Sequence, residues 1–172
     1  MSDGLTIQLD GIEGIEQIAR RLNDPKVQAI TSQHMNIALV QIETPAKMNA
    51  PGDTGQGASS ITHMVESIGS DIQGIVGSPK KHMQYQEYGT GLLYDGPGPK
   101  SGKRHWPPSA ALETWARRHG IASGWLVARA IGLRGGLRPK RFLRDAWESA
   151  QGGVIAEMNK ILPEITKRMA GK

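Results

Sequence analysis

Asn49-Ala50-Pro51-Gly52-Asp53-Thr54-Gly55 is where this chain turns from helical to extended, and what lies on either side of it decides the fold. The stretch opposes regular structure. Pro51 has no backbone donor, and Gly52 and Gly55 admit backbone angles that side chains resist. Asp53 is suited to accept local backbone N–H bonds in the turn, with Gly55 supplying an unusual φ. Upstream, Asp24-Pro25 has the form of a helix start, an Asp cap followed by Pro at the first helical position. Val27, Ile30, Ile37, Ala38, Ile42 and Ala46 carry the apolar face of that helix. Pro45 should kink it near its end, and the 49–55 turn stops it. Further upstream, Leu5, Ile7 and Leu9 alternate with Thr6 and Gln8 as in a short half-buried strand. Asp10 and Glu13 have capping-box spacing ahead of a helical stripe of Ile12, Ile15, Ile18, Ala19 and Leu22.

Downstream of the turn, residues 60–67 and 72–78 read as two strands, with Gly69-Ser70-Asp71 as the turn of a hairpin. Tyr85-Gln86-Glu87-Tyr88-Gly89-Thr90 closes this half of the chain. Between Gly89 and Ser109 there are five Gly and four Pro, a composition that predicts a mobile loop. Three helices should follow. One spans about 108–119 and is closed by Gly120, and one spans about 123–133 and is closed by Gly135. A long third is opened by Pro139, with Phe142, Leu143, Ala146, Trp147, Ala150, Val154, Met158, Ile161 and Ile165 on one stripe. Gly152-Gly153 and Pro163 are its weak points.

Composition narrows the function classes. At 172 residues, with 38% hydrophobic and 5% aromatic content, the chain suits one domain whose core rests on aliphatic residues. There are no cysteines, so neither a disulfide nor a thiolate metal site can form. No apolar run approaches the roughly 20 residues that span a bilayer, and the N-terminus lacks a basic-then-apolar leader. A soluble protein made in the cytoplasm is expected. The net charge of +5 is unevenly distributed. From Lys100 to Arg144 there are eleven Lys and Arg and one acid, Glu113, while the remainder has ten bases and fifteen acids. Such a segment suits a phosphate backbone or an acidic protein face.

Catalytic signatures fail one by one. Asp53-Thr54-Gly55 matches the aspartic-protease triplet, and Ile75-Val76-Gly77 echoes the apolar element that follows it. That chemistry needs two carboxylates sharing a proton, each presented by a buried strand, and no such strand leads into Asp53. Gly89-Thr90-Gly91 opens like a dinucleotide fingerprint, but Tyr94 occupies the third glycine position. Gly98 to Lys103 resembles a phosphate loop, yet Arg104 stands where a hydroxyl should hold magnesium. His34, His63, His82, His105 and His119 include no pair at helical ligand spacing. No serine lies in a nucleophile elbow. No enzyme activity, metal or cofactor is expected.

One binding signature remains. Residues 112–129 have the outline of a helix-turn-helix, which would make residues 109–134 a DNA-binding regulator or packaging accessory. Its second helix, Gly124 to Leu133, offers only Arg129 as a polar side chain, and base reading needs several.

Three motifs in order carry a family resemblance. Ala50-Pro51-Gly52-Asp53-Thr54-Gly55, Tyr85-Gln86-Glu87-Tyr88-Gly89-Thr90, and Pro139-Lys140-Arg141-Phe142-Leu143-Arg144-Asp145-Ala146 resemble the motifs of the bacteriophage tail-completion, or head–tail joining, proteins (the minor-tail Z-like neck family). The resemblance covers most of the chain. It departs at Gln56-Gly57, where such proteins often carry an apolar-basic pair, and in the 91–135 segment. The resemblance implies a single domain over 1–172 with 91–135 as a basic loop and helical-hairpin insertion. It implies an α+β fold, a small antiparallel sheet packed against a long N-terminal and a long C-terminal helix. The implied role is a ring subunit at the head–tail junction of the virion, assembled in the host cytoplasm. A hexamer is expected, with a dodecamer as the alternative. Its partners would be itself, neighbouring neck and tail proteins and, without sequence preference, translocating DNA. Pro51, Asp53, Thr54, Gly55, Tyr85, Tyr88, Gly89, Thr90, Pro139, Phe142 and Leu143 would be the structural and assembly residues. Tyr rings that bury while their hydroxyls stay wet suit subunit interfaces. Contacts to DNA or to an acidic partner would fall to Lys100, Lys103, Arg104, Arg117, Arg118, Arg138, Lys140 and Arg141.

Overall fold

A computed structural model of the chain describes residues 5–9, 25–68, 71–99 and 102–170. The helical stripe from Ile12 to Leu22 with its capping box, the Asp24 cap, Gly69-Ser70 and Lys100 lie outside the described residues. The architecture is α+β. Strands β1 (Leu5–Leu9), β2 (Thr62–Ile68) and β3 (Asp71–Ser78) form an antiparallel sheet in the order β1-β3-β2. The long helix α1 (Pro25–Asn49) covers one face of β2 and β3, and α6 (Phe142–Met158) packs along α1.

Alternation builds the sheet. In β3 the residues Gly74, Val76 and Ser78 are buried, and their neighbours are only partly so. Gly74 lets the helix come close, because a Cβ there would meet Met35 Sδ at 2.7 Å and the Leu39 methyls at 3.0 Å. The hairpin forms where alternation placed it, with β2 beginning two residues later and ending one later than expected and β3 beginning one residue earlier. Its central member is β3, because β1 pairs with it in register from Leu5 opposite Ser78 to Leu9 opposite Gly74.

The period of α1 sets the core. Met35, Ala38, Leu39, Ile42 and Ala46 meet Ile61, Val76, Phe142, Leu143, Ala146 and Val154 in one cluster. Burial of each large aliphatic or aromatic side chain contributes about 1.5–3 kcal/mol. The helix runs through Pro45 to Asn49, where the 49–55 turn is expected to stop it. Ala46, one residue after Pro45, is fully buried, so packing holds the last turn in place.

The C-terminal helix is two helices. It begins at Phe142, three residues after Pro139, and breaks at Asn159-Lys160 rather than at Gly152-Gly153. The cause is Pro163. Its ring would clash with the carbonyl four residues back, that of Asn159, if one helix ran through. In the first turn of α7 (Ile161–Ala170) a missing donor does no harm. There Ile161 and Ile165 close a second small core with Val27 and Ile30.

The short α2 (Gln56–Ser59) joins α1 to β2, and between β3 and α6 lie α3 (Lys81–Tyr88), a 3-10 turn at Gly91–Leu93, and the hairpin of α4 (Ser109–Arg118) and α5 (Gly124–Leu133). The two hairpin helices lie where their closing glycines placed them, each within a residue or two. The helix α3 is not announced by the sequence, where Tyr85 to Tyr88 read as a corner.

Candidate functional site

The first motif forms a turn that opens α2. Gly55 has φ +74° at the N-cap, a conformation glycine adopts freely. Asp53 makes none of the expected local backbone bonds. Its carboxylate instead pairs with Arg118 at the end of α4, and His119 stands 4.0 Å away. The turn thus reaches across to the helical hairpin. The Ser60 and Ser78 hydroxyls bond at 2.8 Å, and the Lys80 ammonium donates to the Gln56 carbonyl at 3.0 Å, so both ends of the β-hairpin are fastened together. Gly57 meets α3 closely, since a Cβ there would lie 2.8 Å from Met83 Sδ.

The second and third motifs meet at Glu87. This glutamate is 2% exposed and accepts backbone N–H bonds from Leu143 at 2.8 Å and Arg144 at 3.0 Å. It therefore caps α6 from a different helix. A helix N-terminus leaves several N–H groups without partners, and α6 has no acceptor of its own at the cap position, where Arg141 stands. Burial pushes the Glu87 carboxyl above its ordinary value, against the opposing pull of the two N–H bonds and of Arg144. Arg141 adopts φ +51°, the one left-handed non-glycine among the described residues. Its N–H donates to the Glu87 carbonyl at 3.3 Å, and its guanidinium pairs with Asp95. Arg144 also holds Asp95, at 3.1 Å, and together the two cations keep the Asp95 carboxyl below the usual range.

The junction continues as a seam of backbone bonds. Lys140 N–H donates to Gln86 at 2.6 Å, Thr90 to Leu137 at 3.0 Å and Leu92 to Gly135 at 3.0 Å. The Thr90 hydroxyl oxygen accepts from Leu137 N–H at 2.9 Å. Gly89 is required here, since a Cβ would lie 2.6 Å from the Leu137 carbonyl oxygen and 2.9 Å from Pro139. Phe142 and Leu143 are buried in the main core, as their place on the helical stripe predicts. Tyr88 packs on that core and edge-on to Tyr94, with ring centres 6.2 Å apart. Tyr85 is exposed. With Thr90, Tyr94 and His105 it lines an open cleft of about 350 Å³ whose lining includes no carboxylate, lysine or arginine.

Residues 91–99 and 102–107 form no free loop. Asp95 N–H bonds the Tyr88 carbonyl at 2.8 Å, His105 N–H bonds Gly135 at 3.2 Å, and Arg104 donates to the Leu133 carbonyl at 2.7 Å, at the negative end of α5. Composition opposed helix and sheet correctly, but backbone donors found partners in the 132–137 segment. The basic segment is also partly compensated by acids outside it, since Asp53 takes Arg118 and Asp95 takes Arg141 and Arg144. Arg117, Arg138 and Lys140 are exposed and make no side-chain bond among the described residues. Lys103 and Arg104 lie exposed on the strap that leads to α4.

A buried ion cluster stands apart from this junction. His34 on α1 donates from Nδ1 to Glu157 of α6 at 2.7 Å and from Nε2 to Glu164 of α7 at 2.9 Å. With both ring nitrogens donating to carboxylates, the ring is an imidazolium. Burial alone would lower its pKa, but the two carboxylates outweigh burial and raise it. Lys160 and Arg168 back the two acids at 2.6 Å each. The histidines include no ligand pair in sequence, and no metal-binding cluster exists among the described residues. Sequence reasoning singles out neither His34 nor Glu87. The signal for Glu87 was a helix N-terminus without an acceptor, and for His34 a histidine on the apolar stripe of α1.

Comparisons with protein-family models, curated proteins and solved structures found no match.

Proposed function

We propose that this protein is a structural connector of a bacteriophage neck, of the tail-completion kind, that forms a ring at the head–tail junction and permits head–tail joining. The observation that carries the reading is the Glu87 cap, which joins the second and third family-like motifs in one buried contact. The first motif reaches the α4–α5 hairpin through the pairing of Asp53 with Arg118. Motifs far apart in sequence thus serve one scaffold, as the resemblance requires. The scaffold leaves tyrosine, tryptophan and arginine side chains at the surface, the residue types enriched where protein subunits meet. On this reading the protein has no substrate and no cofactor, and it works in the virion.

The helix-turn-helix alternative is less well supported. The outward side chains of α5 are Trp125, Leu126, Arg129 and Leu133, and Arg129 lies over the Trp125 ring at 5.7 Å. That face offers little to a base edge. The test is native mass measurement and electron microscopy of the purified protein, with and without tail tubes. Rings, alone or at tube ends, are expected. A dimer with tight affinity for one DNA sequence and no attachment to tubes would overturn the proposal in favour of the regulator.

A further inference from the structure

We propose that the outward face of α5 in one copy docks on the open face of the β2–β3 hairpin in a second copy, head to tail. The inference rests on the connector reading and deepens it by naming the two surfaces through which copies meet.

The first surface is a helix apolar on both sides. The inner side of α5, with Gly124, Ala128, Ile131 and Gly132, is buried. Its outer side presents Trp125 at 58% exposure, Leu126, and Leu133 at 54%. A helix apolar all round belongs in an interior, so this one lacks a cover on one side. Trp106 extends the patch, half-exposed and lying against Gly132, where a Cβ would strike its ring. The charged groups around the patch are the cations Arg104, Arg129 and Arg134 and one acid, Glu113, whose carboxylate is already taken up by the Gly124 N–H at 2.7 Å.

The second surface is the side of the hairpin turned away from α1. Side chains alternate along a strand, so Met64, Glu66 and Ile68 of β2 share one face, with Ile75 of β3 directly opposite Met64. Met64 is 50% exposed, Ile68 is 60% exposed, and Ile75 is half-buried. Between the two apolar residues of β2 stands Glu66, exposed and without a side-chain partner among the described residues. An apolar face centred on a free acid is the complement of an apolar face ringed by arginines. The solvent stripe of α1, Ile37, Val40, Thr44 and Met48, is exposed as well, but it carries no charge. The nearest acid to it in the helix, Glu43, is already held by Lys47 and His63. Pairing α5 with another α5 would set arginine against arginine. A phosphate partner would engage the arginines and leave Trp125 and the leucines wet. Two different patches that fit each other make a heterologous contact, and repeated contacts of that kind close into a ring when the rotation allows.

The test uses two blocked copies of the full chain. One carries Leu126→Asp with Leu133→Asp, the other Met64→Lys with Ile68→Lys. All four sites are exposed, and circular dichroism checks folding. By native mass, the parent should be a closed oligomer and each variant alone a monomer. An equimolar mixture should stop at a one-to-one complex, because one good face of each kind remains. A gentler pair guards against misfolding. Arg129→Glu and Glu66→Arg should each weaken assembly about tenfold or more, and both in one chain should restore it. Rings that neither variant disturbs would overturn the assigned surfaces and leave the connector reading standing. A parent that is monomeric in solution yet joins tail tubes would do the same. A parent that neither self-associates nor joins tubes would sink both.

Discussion

Glu87 concentrates the chemistry of the fold in one carboxylate. Glu87→Ala should lower stability by about 2 kcal/mol, since two buried N–H groups of α6 would be left without their acceptor. Glu87→Gln should cost less, because one amide oxygen still accepts. The folded carboxyl titrates above its ordinary value of 4.5. Its contribution is therefore complete below that value and diminishes as pH rises through the raised one. Denaturant midpoints measured across pH should show this dependence in the parent and not in Glu87→Gln. Asp53→Asn makes a useful contrast. Its partner Arg118 is exposed, so the change should stay under about 1 kcal/mol in the same measurement. At this scale the sequence was only partly legible. The φ of Gly55 and the burial of Phe142 and Leu143 could be read, because turn chemistry and periodicity are local. The partners of Asp53 and Glu87 could not, because they arrive from α4 and α6, far along the chain.

Among the elements, α7 depends most visibly on a single cluster. It joins the body through Ile161 and Ile165 and through the His34 imidazolium, which links α1 to both α6 and α7. The raised pKa of His34 means its contribution is complete below 6.5 and is lost as pH rises through the raised value. Glu157 and Glu164, both lowered, add stability that is present above 4.5 and lost as pH falls through their depressed values. The clasp should be strongest between these limits. Amide exchange in α7 should accelerate as pH rises above 6.5 through the raised value, beyond the intrinsic base-catalysed rise, while β3 amides follow that rise alone. His34→Gln should remove the difference. Element positions were the most legible part of the chain. The α4–α5 hairpin could be placed from glycines alone, and the β-hairpin from alternation. Of the two weak points in the last helix, Pro163 makes the break between α6 and α7, on the turn before it, while the helix runs unbroken through Gly152-Gly153. The helix α3 was missed because its one fully buried hydrophobic residue, Met83, leaves too faint a stripe to read.

For the whole molecule the charge map decides which cations are open to a partner. Arg118, Arg141 and Arg144 are held by Asp53 and Asp95, so Arg117, Arg138 and Lys140 are the better probes. Replacing these three with Glu should leave the melting transition nearly unchanged. It should also weaken binding to random-sequence duplex DNA, with a salt dependence shallower by about one unit of slope for each phosphate the protein ceases to touch. Unchanged DNA affinity would assign that surface to protein or to solvent. The asymmetry of charge was plain in the sequence, but its partial neutralisation needed the fold. The seam that joins Leu92 to Gly135 has a further consequence, which concerns heredity more than mechanics. The chain leaves the body and returns to it at neighbouring points, so everything between is a closed excursion. A gene could gain or shed such a cassette in one recombination event, and the remaining body would need only a short bridge, whose closure entropy is small. Exchanging what hangs from the seam would thus change the surface of the protein and leave its main core in place.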